Sequence, residues 1–214
     1  MRPDRLLVWG EASRRHAMEY HGFTPDQVTV TGPPHFDCYH EPRVKPAESI
    51  VLVAGTTVNY WADELTMVGM LTRHFDHIVH RPHPRRGGDW SWAAMLALRS
   101  QLDAAICVVA AFSTVVIETA LMGKPSMLIG FGQSAHGPAM AEYHMNLEHM
   151  AEVTSWSGVE FCKNEEELVG SIRAALNGAF TNRADDLRRR AQEVARSDGH
   201  AQERILEALE WMKP

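Results

Sequence analysis

The chain has 214 residues and a net charge of −6, with 45% of its residues hydrophobic and 22% charged. That length suits one large domain or two small ones with a proper core. The acidic balance argues against nucleic acid as a partner, because phosphate binding needs a basic surface. Three cysteines, Cys38, Cys107 and Cys162, stand far apart with no CxxC. An odd count without framework spacing reads as reduced thiols in a cytoplasmic setting. No secretory leader and no apolar run of membrane-spanning length is evident, so the expected location is cytoplasmic, with a peripheral place at the inner membrane face left open.

The chain opens on "LLVW" (6–9), a short β-branched and aromatic run that predicts a strand, followed by a helical pattern over 11–21 and a second strand, "VTVTG" (28–32). Pro and Gly in "TGPP" (31–34) and "EPRVKP" (41–46) then mark a linker. Residues 1–40 hold too few elements to bury a core alone and read as a crossover segment from, or packed like, a preceding domain. Residues 47–214 form the main domain. Its strands are "IVLVAG" (50–55), "HIVHRP" (77–82), "AICVVA" (105–110), "SMLIGF" (126–131) and "GVEFC" (158–162). Helical patterns lie between and after them, over 61–75, 91–101, 114–122, 138–150, 164–177, 182–196 and 198–212. Several strands are nearly continuous apolar runs, as expected when both faces are covered. The alternation predicts an α/β fold with a doubly wound, Rossmann-like parallel sheet and helices on both faces. Such sheets bind ligands beyond the carboxyl ends of their strands, where the strand order reverses.

After "IVLVAG", Gly55 with Thr56 and Thr57 could let backbone and hydroxyls approach a phosphate. The alternative is a plain turn in which a Thr or Asn59 caps the next helix. After "HIVH" comes "RPHPRR" (81–86), where two prolines narrow the orientations of His83 and place it between Arg81 and Arg85. A fixed imidazole there could hydrogen-bond a phosphate or donate a proton to a departing one, and the arginines supply forked donors for phosphate oxygens. His74, His77, His80 and His83 repeat every third residue, but that spacing throws alternate residues onto opposite faces of a strand, so no metal is expected.

After "AICVVA" comes "FSTVVIETALMGKPSML" (112–128). Ser113 is placed to cap a helix that runs from Thr114 until Gly123 and Pro125 stop it. Free N–H groups and two hydroxyls at that point make an anion site. Glu118 lies one turn on from Thr114 on the same helix face. A carboxylate in so apolar a segment needs partners, and a ribose hydroxyl pair would serve. Capping for Ser113, and a solvent-facing side chain or an internal ion pair for Glu118, are the alternatives. Gly130 and Gly132 do not extend to GxGxxG, so the dinucleotide fingerprint is absent.

With "DRLLVWGEASRRHAMEYHGFTPDQVTVTGPPHFD" (4–37), "STVVIETALMGKPSMLI" (113–129) and "DGHAQERI" (198–205) in line, the chain resembles the carboxy-terminal, donor-binding half of GT-B class glycosyltransferases. More narrowly, it is similar to bacterial surface-polysaccharide and CDP-glycerol-type transferases. The resemblance implies a nucleotide-sugar-dependent glycosyltransferase of polysaccharide biosynthesis, with Ser113 and Thr114 at the donor phosphate and Glu118 near the ribose. "RPHP" resembles the His-Pro element of bacterial sialyl- and Kdo-transferases, implying His83 as leaving-group acid. No cofactor is implied; the nucleotide-sugar, of CMP, CDP or UDP type, is a substrate. The implied acceptor is a glycan or lipid-linked hydroxyl, held by an amino-terminal acceptor domain that this chain does not contain. A non-catalytic nucleotide-binding module on the same fold is one alternative. An enzyme like UDP-GlcNAc 2-epimerase is another, ranked lower because those enzymes show paired glycines and paired acids where this chain has "FSTVVIET".

Overall fold

A computed structural model describes residues 3–41, 48–55, 61–84, 91–111, 113–132 and 148–210. Thr56, Thr57, Asn59, Arg85, residues 42–46 of the linker and most of the helix expected over 138–150 lie outside these residues. Two parallel sheets organise the rest. In the first, β1 (Leu6–Val8) pairs with β2 (Val28–Val30). The second has five strands: β3 (Ile50–Ala54), β4 (Ile78–Arg81), β5 (Ala105–Ala110), β6 (Ser126–Ile129) and β7 (Val159–Cys162). Their order across the sheet is β4-β3-β5-β6-β7, and every neighbouring pair is parallel.

Eight helices are described: α1 (Glu11–His21), α2 (Trp61–Leu71), α3 (Trp92–Ala104), α4 (Val115–Leu121), α5 (Glu148–Thr154), α6 (Glu165–Leu176), α7 (Ala184–Val194) and α8 (Ala201–Glu210). Alternate side chains of the central strands divide between two cores, as a period of two demands. Leu52, Val108 and Leu128 pack with α4, Trp156 and Leu187 on one face. Val51, Val53, Cys107, Val109 and Met127 pack with Met67, Met70 and Leu71 of α2 and Leu168 and Ile172 of α6 on the other. The uninterrupted apolar runs in the sequence are therefore strands buried on both faces. The fold is a doubly wound, Rossmann-like α/β domain with helices on both faces of its parallel sheet.

The chain winds from β3 out to β4, crosses back over β3 to β5, and then proceeds to β6 and β7. The direction of winding reverses between β3 and β5, and a crevice opens there at the carboxyl ends of these strands.

The amino-terminal β1–α1–β2 unit has its own small cluster, Val8, Ala17, Phe23 and Val28. It is fastened to the far end of the chain. The Arg196 N–H donates to the Trp9 carbonyl at 2.8 Å, and Arg204 Nε donates to the Thr31 carbonyl at 2.8 Å. Gly10 lies so close to α7 that a Cβ would stand 2.4 Å from the Glu193 carbonyl oxygen. A 3-10 helix, Pro34–His40, follows between the two stretches read from sequence as linker, at the end of the crossover segment. Its Phe36 carbonyl accepts the Ser197 hydroxyl at 2.6 Å, and Asp37 Oδ2 accepts the N–H of Ala201 at the start of α8, at 3.0 Å.

Candidate functional site

The crevice at the reversal point has a volume of about 140 Å³ and is lined from four directions. Ala54 and Gly55 end β3; Arg81, Pro82, His83 and Pro84 end β4. Ser113, Thr114, Val115 and Glu118 form the start of α4, and Met95 and Leu98 of α3 form an apolar side. Of the residues singled out from sequence, Gly55, Arg81, His83, Ser113, Thr114 and Glu118 share this one cavity. They come from segments about thirty residues apart, brought together because parallel strands put all their carboxyl ends on one edge.

The loop after β4 reaches the crevice by passing over Gly55. A Cβ there would stand 2.6 Å from the His83 nitrogen, 2.7 Å from Glu64 Oε1 and 2.8 Å from the Arg81 carbonyl oxygen. Glycine is thus required by close backbone approach rather than by an unusual dihedral. The Gly55 N–H donates to the Arg81 carbonyl at 2.7 Å, which pins the base of the His83 loop to β3. Glu64, only 4% exposed, accepts from or donates to His80 Nε2 at 2.5 Å on the opposite face of the sheet.

Three details differ from the sequence-based expectations. Thr114, not Ser113, occupies the capping position of α4, with helical dihedrals and no side-chain cap. Ser113 sits one residue earlier, where its hydroxyl accepts the Val115 N–H at 3.4 Å. Because α4 has only seven residues its dipole is small, and the weight shifts to the hydroxyls and Glu118. Second, the Arg81 guanidinium turns to α3, donating to Gln101 Oε1 at 3.1 Å and the Ala94 carbonyl at 2.9 Å. It lines the cavity and lends positive charge without presenting its fork to the centre.

Third, the carboxylate of Glu118 already has a protein partner. Glu118 is 7% exposed and accepts a hydrogen bond from the phenol of Tyr39. Burial pushes the Glu118 carboxyl up to about 7, against the lowering effects of the Tyr39 hydrogen bond and the Arg81 charge. Tyr39, itself buried beside an acid, is pushed well above the usual phenol range by burial first and the Glu118 charge second. His35, which also lines the crevice, is lowered by burial.

Tyr39 and His35 were missed because "PHFDCYH" carries no periodicity and sits between prolines, which is a linker signal. Only its density of aromatics, unusual for a solvated linker, hints at burial. The histidines at 74, 77 and 80 face separate carboxylates, Glu165, Glu48 and Glu64. A larger cavity of about 560 Å³ lies between α2 and the start of α6, lined by Met67, Met70 and Phe131. Its Arg73 pairs with Glu165 at 3.7 Å, and it lies away from the reversal point.

No family model matches this sequence, and no curated protein matches it. Solved structures do resemble it. The wall teichoic acid polymerase TagF superposes with a TM-score of 0.62 at 11% identity, over 98% of this chain and 58% of that one. The UDP-GlcNAc 2-epimerase from Neisseria meningitidis, bound to UDP-GlcNAc, gives 0.57 at 11% identity, over 97% of this chain and 61% of that one. The Methanocaldococcus jannaschii UDP-GlcNAc 2-epimerase, in complex with UDP-GlcNAc and UDP, gives 0.53 at 13% identity over 97% and 61%. The chain therefore spans about three fifths of the length of these neighbours, and the likeness is one of fold. Among the described residues, no helix is long and apolar enough to cross a membrane.

Proposed function

We propose that this chain is the donor-binding half of an inverting, nucleotide-sugar-dependent glycosyltransferase. The observation that carries the proposal is the convergence of the proline-held His83 loop, the Ser113–Thr114 turn and buried Glu118 on one crevice at the point where the sheet reverses. The Ser113 and Thr114 hydroxyls and the nearby positive charge of Arg81 suit a phosphate, the acid suits ribose hydroxyls, and Met95 and Leu98 give a nucleobase an apolar wall. In transfer, the acceptor hydroxyl oxygen bonds to the sugar's anomeric carbon as the bond from that carbon to the phosphate oxygen breaks. His83 donates a proton to the departing phosphate, and the acceptor's proton passes to a base on the acceptor-binding half. Ser113 and Thr114 stabilise the charge that develops on the phosphate, and Gly55, its N–H spent on the Arg81 carbonyl, seats the His83 loop beside it. Thr56 and Arg85 are assigned to the same phosphate by sequence position.

The donor is of CMP, CDP or UDP type, with cytidine favoured by the His-Pro and Ser-Thr elements; the acceptor is a glycan or lipid-linked hydroxyl. A thermal-shift panel of CMP, CDP, UDP, GDP and NAD tests nucleotide recognition, since binding raises the melting temperature with affinity and concentration. A pyrimidine nucleotide is expected to stand out, and no response to any of the five would overturn the proposal. The epimerase neighbours favour a second reading. An assay with UDP-GlcNAc and no acceptor separates the two: inversion at C2 of the sugar, whether it stays on the nucleotide or is released with UDP, would establish epimerase chemistry, while dependence on an added acceptor-binding half would establish transfer. Nucleotide binding without turnover in either assay would mark a non-catalytic module.

A further inference from the structure

Resting on that nucleotide-binding reading, we propose that Tyr39 is a positioning residue for ribose recognition: its phenol fixes one oxygen of Glu118, so that the carboxylate presents its other oxygen to the sugar hydroxyls in the crevice. The geometry supporting this begins with how firmly Tyr39 is held. Tyr39 is 8% exposed, and its ring meets Phe36 nearly edge-on, with centroids 5.6 Å apart at 73°. The 3-10 helix that carries it is tied at three points. Ser197 bonds to the Phe36 carbonyl, Asp37 bonds to the start of α8, and Arg99 of α3 grips Glu41 through both its side chain, at 2.6 Å, and its carbonyl, at 3.0 Å. A phenol has two side-chain torsions, and here the packing fixes both.

Glu118 is the partner that needs orienting. It projects from a short helix between apolar neighbours, lines the crevice, and accepts the Tyr39 hydroxyl through Oε2. A carboxylate held on one side is pre-organised for a pair of hydroxyl donors on the other. Without the phenol it would turn freely or pick up a proton. Besides Tyr39, the titratable and charged groups around Glu118 are Cys38 on the same 3-10 helix, Arg81 at the end of β4, and His35 and His83 across the crevice.

The test compares CDP and UDP with their 2′,3′-dideoxy forms, and with pyrophosphate, by calorimetry on wild type, Tyr39→Phe and Glu118→Gln. Wild type is expected to prefer the tighter ribonucleotide over its dideoxy form by about tenfold or more. Tyr39→Phe is expected to lose most of that preference, to keep its pyrophosphate affinity, and to move the pH midpoint of ribonucleotide binding upward, because the lost hydrogen bond favoured the ionised acid. If wild type shows no preference for the ribose hydroxyls, or binds neither nucleotide, the functional reading fails and the role of Tyr39 with it. If wild type shows the preference and Glu118→Gln abolishes it, but Tyr39→Phe keeps both preference and midpoint, the functional reading stands and the Tyr39 proposal is overturned. A loss that also weakens pyrophosphate binding, with no change in midpoint, would reduce Tyr39 to packing.

Discussion

Gly55 and His83 are in contact through their backbones: a methyl on Gly55 would stand 2.6 Å from the His83 nitrogen, with the Arg81 carbonyl and Glu64 hemming in the remaining space. The loop that carries the imidazole is thereby laid directly on the end of β3. Neither neighbour on the backbone side can move without disturbing the β3–β4 pairing.

Gly55→Ala should therefore act as a misplacement of the His83 loop. We expect a stability loss of about 1–3 kcal/mol from overpacking and a fall in nucleotide affinity of at least about tenfold, since a shift of an ångström at a phosphate site is costly. Chemical denaturation and calorimetry measure the two. Unchanged affinity would show that the loop and β3 do not share one ligand.

His83→Ala should weaken binding of CDP or UDP by about tenfold or more, the worth of one hydrogen bond to a charged group. In the reconstituted two-half enzyme it should lower transfer by a hundredfold or more, in the range for a lost general acid. His83→Gln, which can still donate a hydrogen bond but not a proton, should restore binding without restoring turnover. Equal kinetics for wild type and His83→Ala would remove the imidazole from the chemistry.

Glu118 makes stability fall as pH rises. Its carboxyl sits at about 7 in the folded chain against an ordinary value of 4.5. Between those values the folded state binds more protons than the unfolded one, so the stabilisation is full below 4.5 and is lost as pH climbs through 7. At about 1.4 kcal/mol per pH unit the difference comes to roughly 3 kcal/mol. Urea denaturation across pH 4.5 to 8 should show this slope in wild type and a flatter profile in Glu118→Gln. Parallel profiles would mean that the acid is better solvated than its burial indicates.

Ser197→Ala removes the hydroxyl that bonds to the Phe36 carbonyl at 2.6 Å. The expected cost is about 1–2 kcal/mol. Amide exchange should quicken across residues 36–40 while the amides of β5 and β6 keep their protection. Uniform acceleration throughout would show that the 3-10 helix opens only with the whole domain.

Much of this architecture was legible in the chain. All five strands of the main sheet fall where apolar, β-branched runs stand, and the pattern is cleanest in the central β3 and β5, whose burial on both faces leaves no polar residue to break it. The crevice was legible too, to the extent that glycine, proline and hydroxyl residues gather just past strand ends. What escaped were relations that depend on distance in sequence. Nothing local to Tyr39 announces a partner 79 residues away. Nor does "RPHPRR" indicate that Arg81 will turn to Gln101 and the α3 backbone. The start of α4 was displaced by one residue because either hydroxyl of a Ser-Thr pair can cap, and only the backbone dihedrals decide.

The fastening of Trp9, Thr31 and Phe36 to Arg196, Arg204 and Ser197 bears on how this protein folds. A two-stranded unit is marginal without such support, and its support lies 161 and 173 residues further along the chain. The β1–α1–β2 segment therefore reaches its final packing only when residues 196–204 have folded against it. Contacts so distant in sequence carry a large loop-closure cost, so this unit is expected to order late in folding.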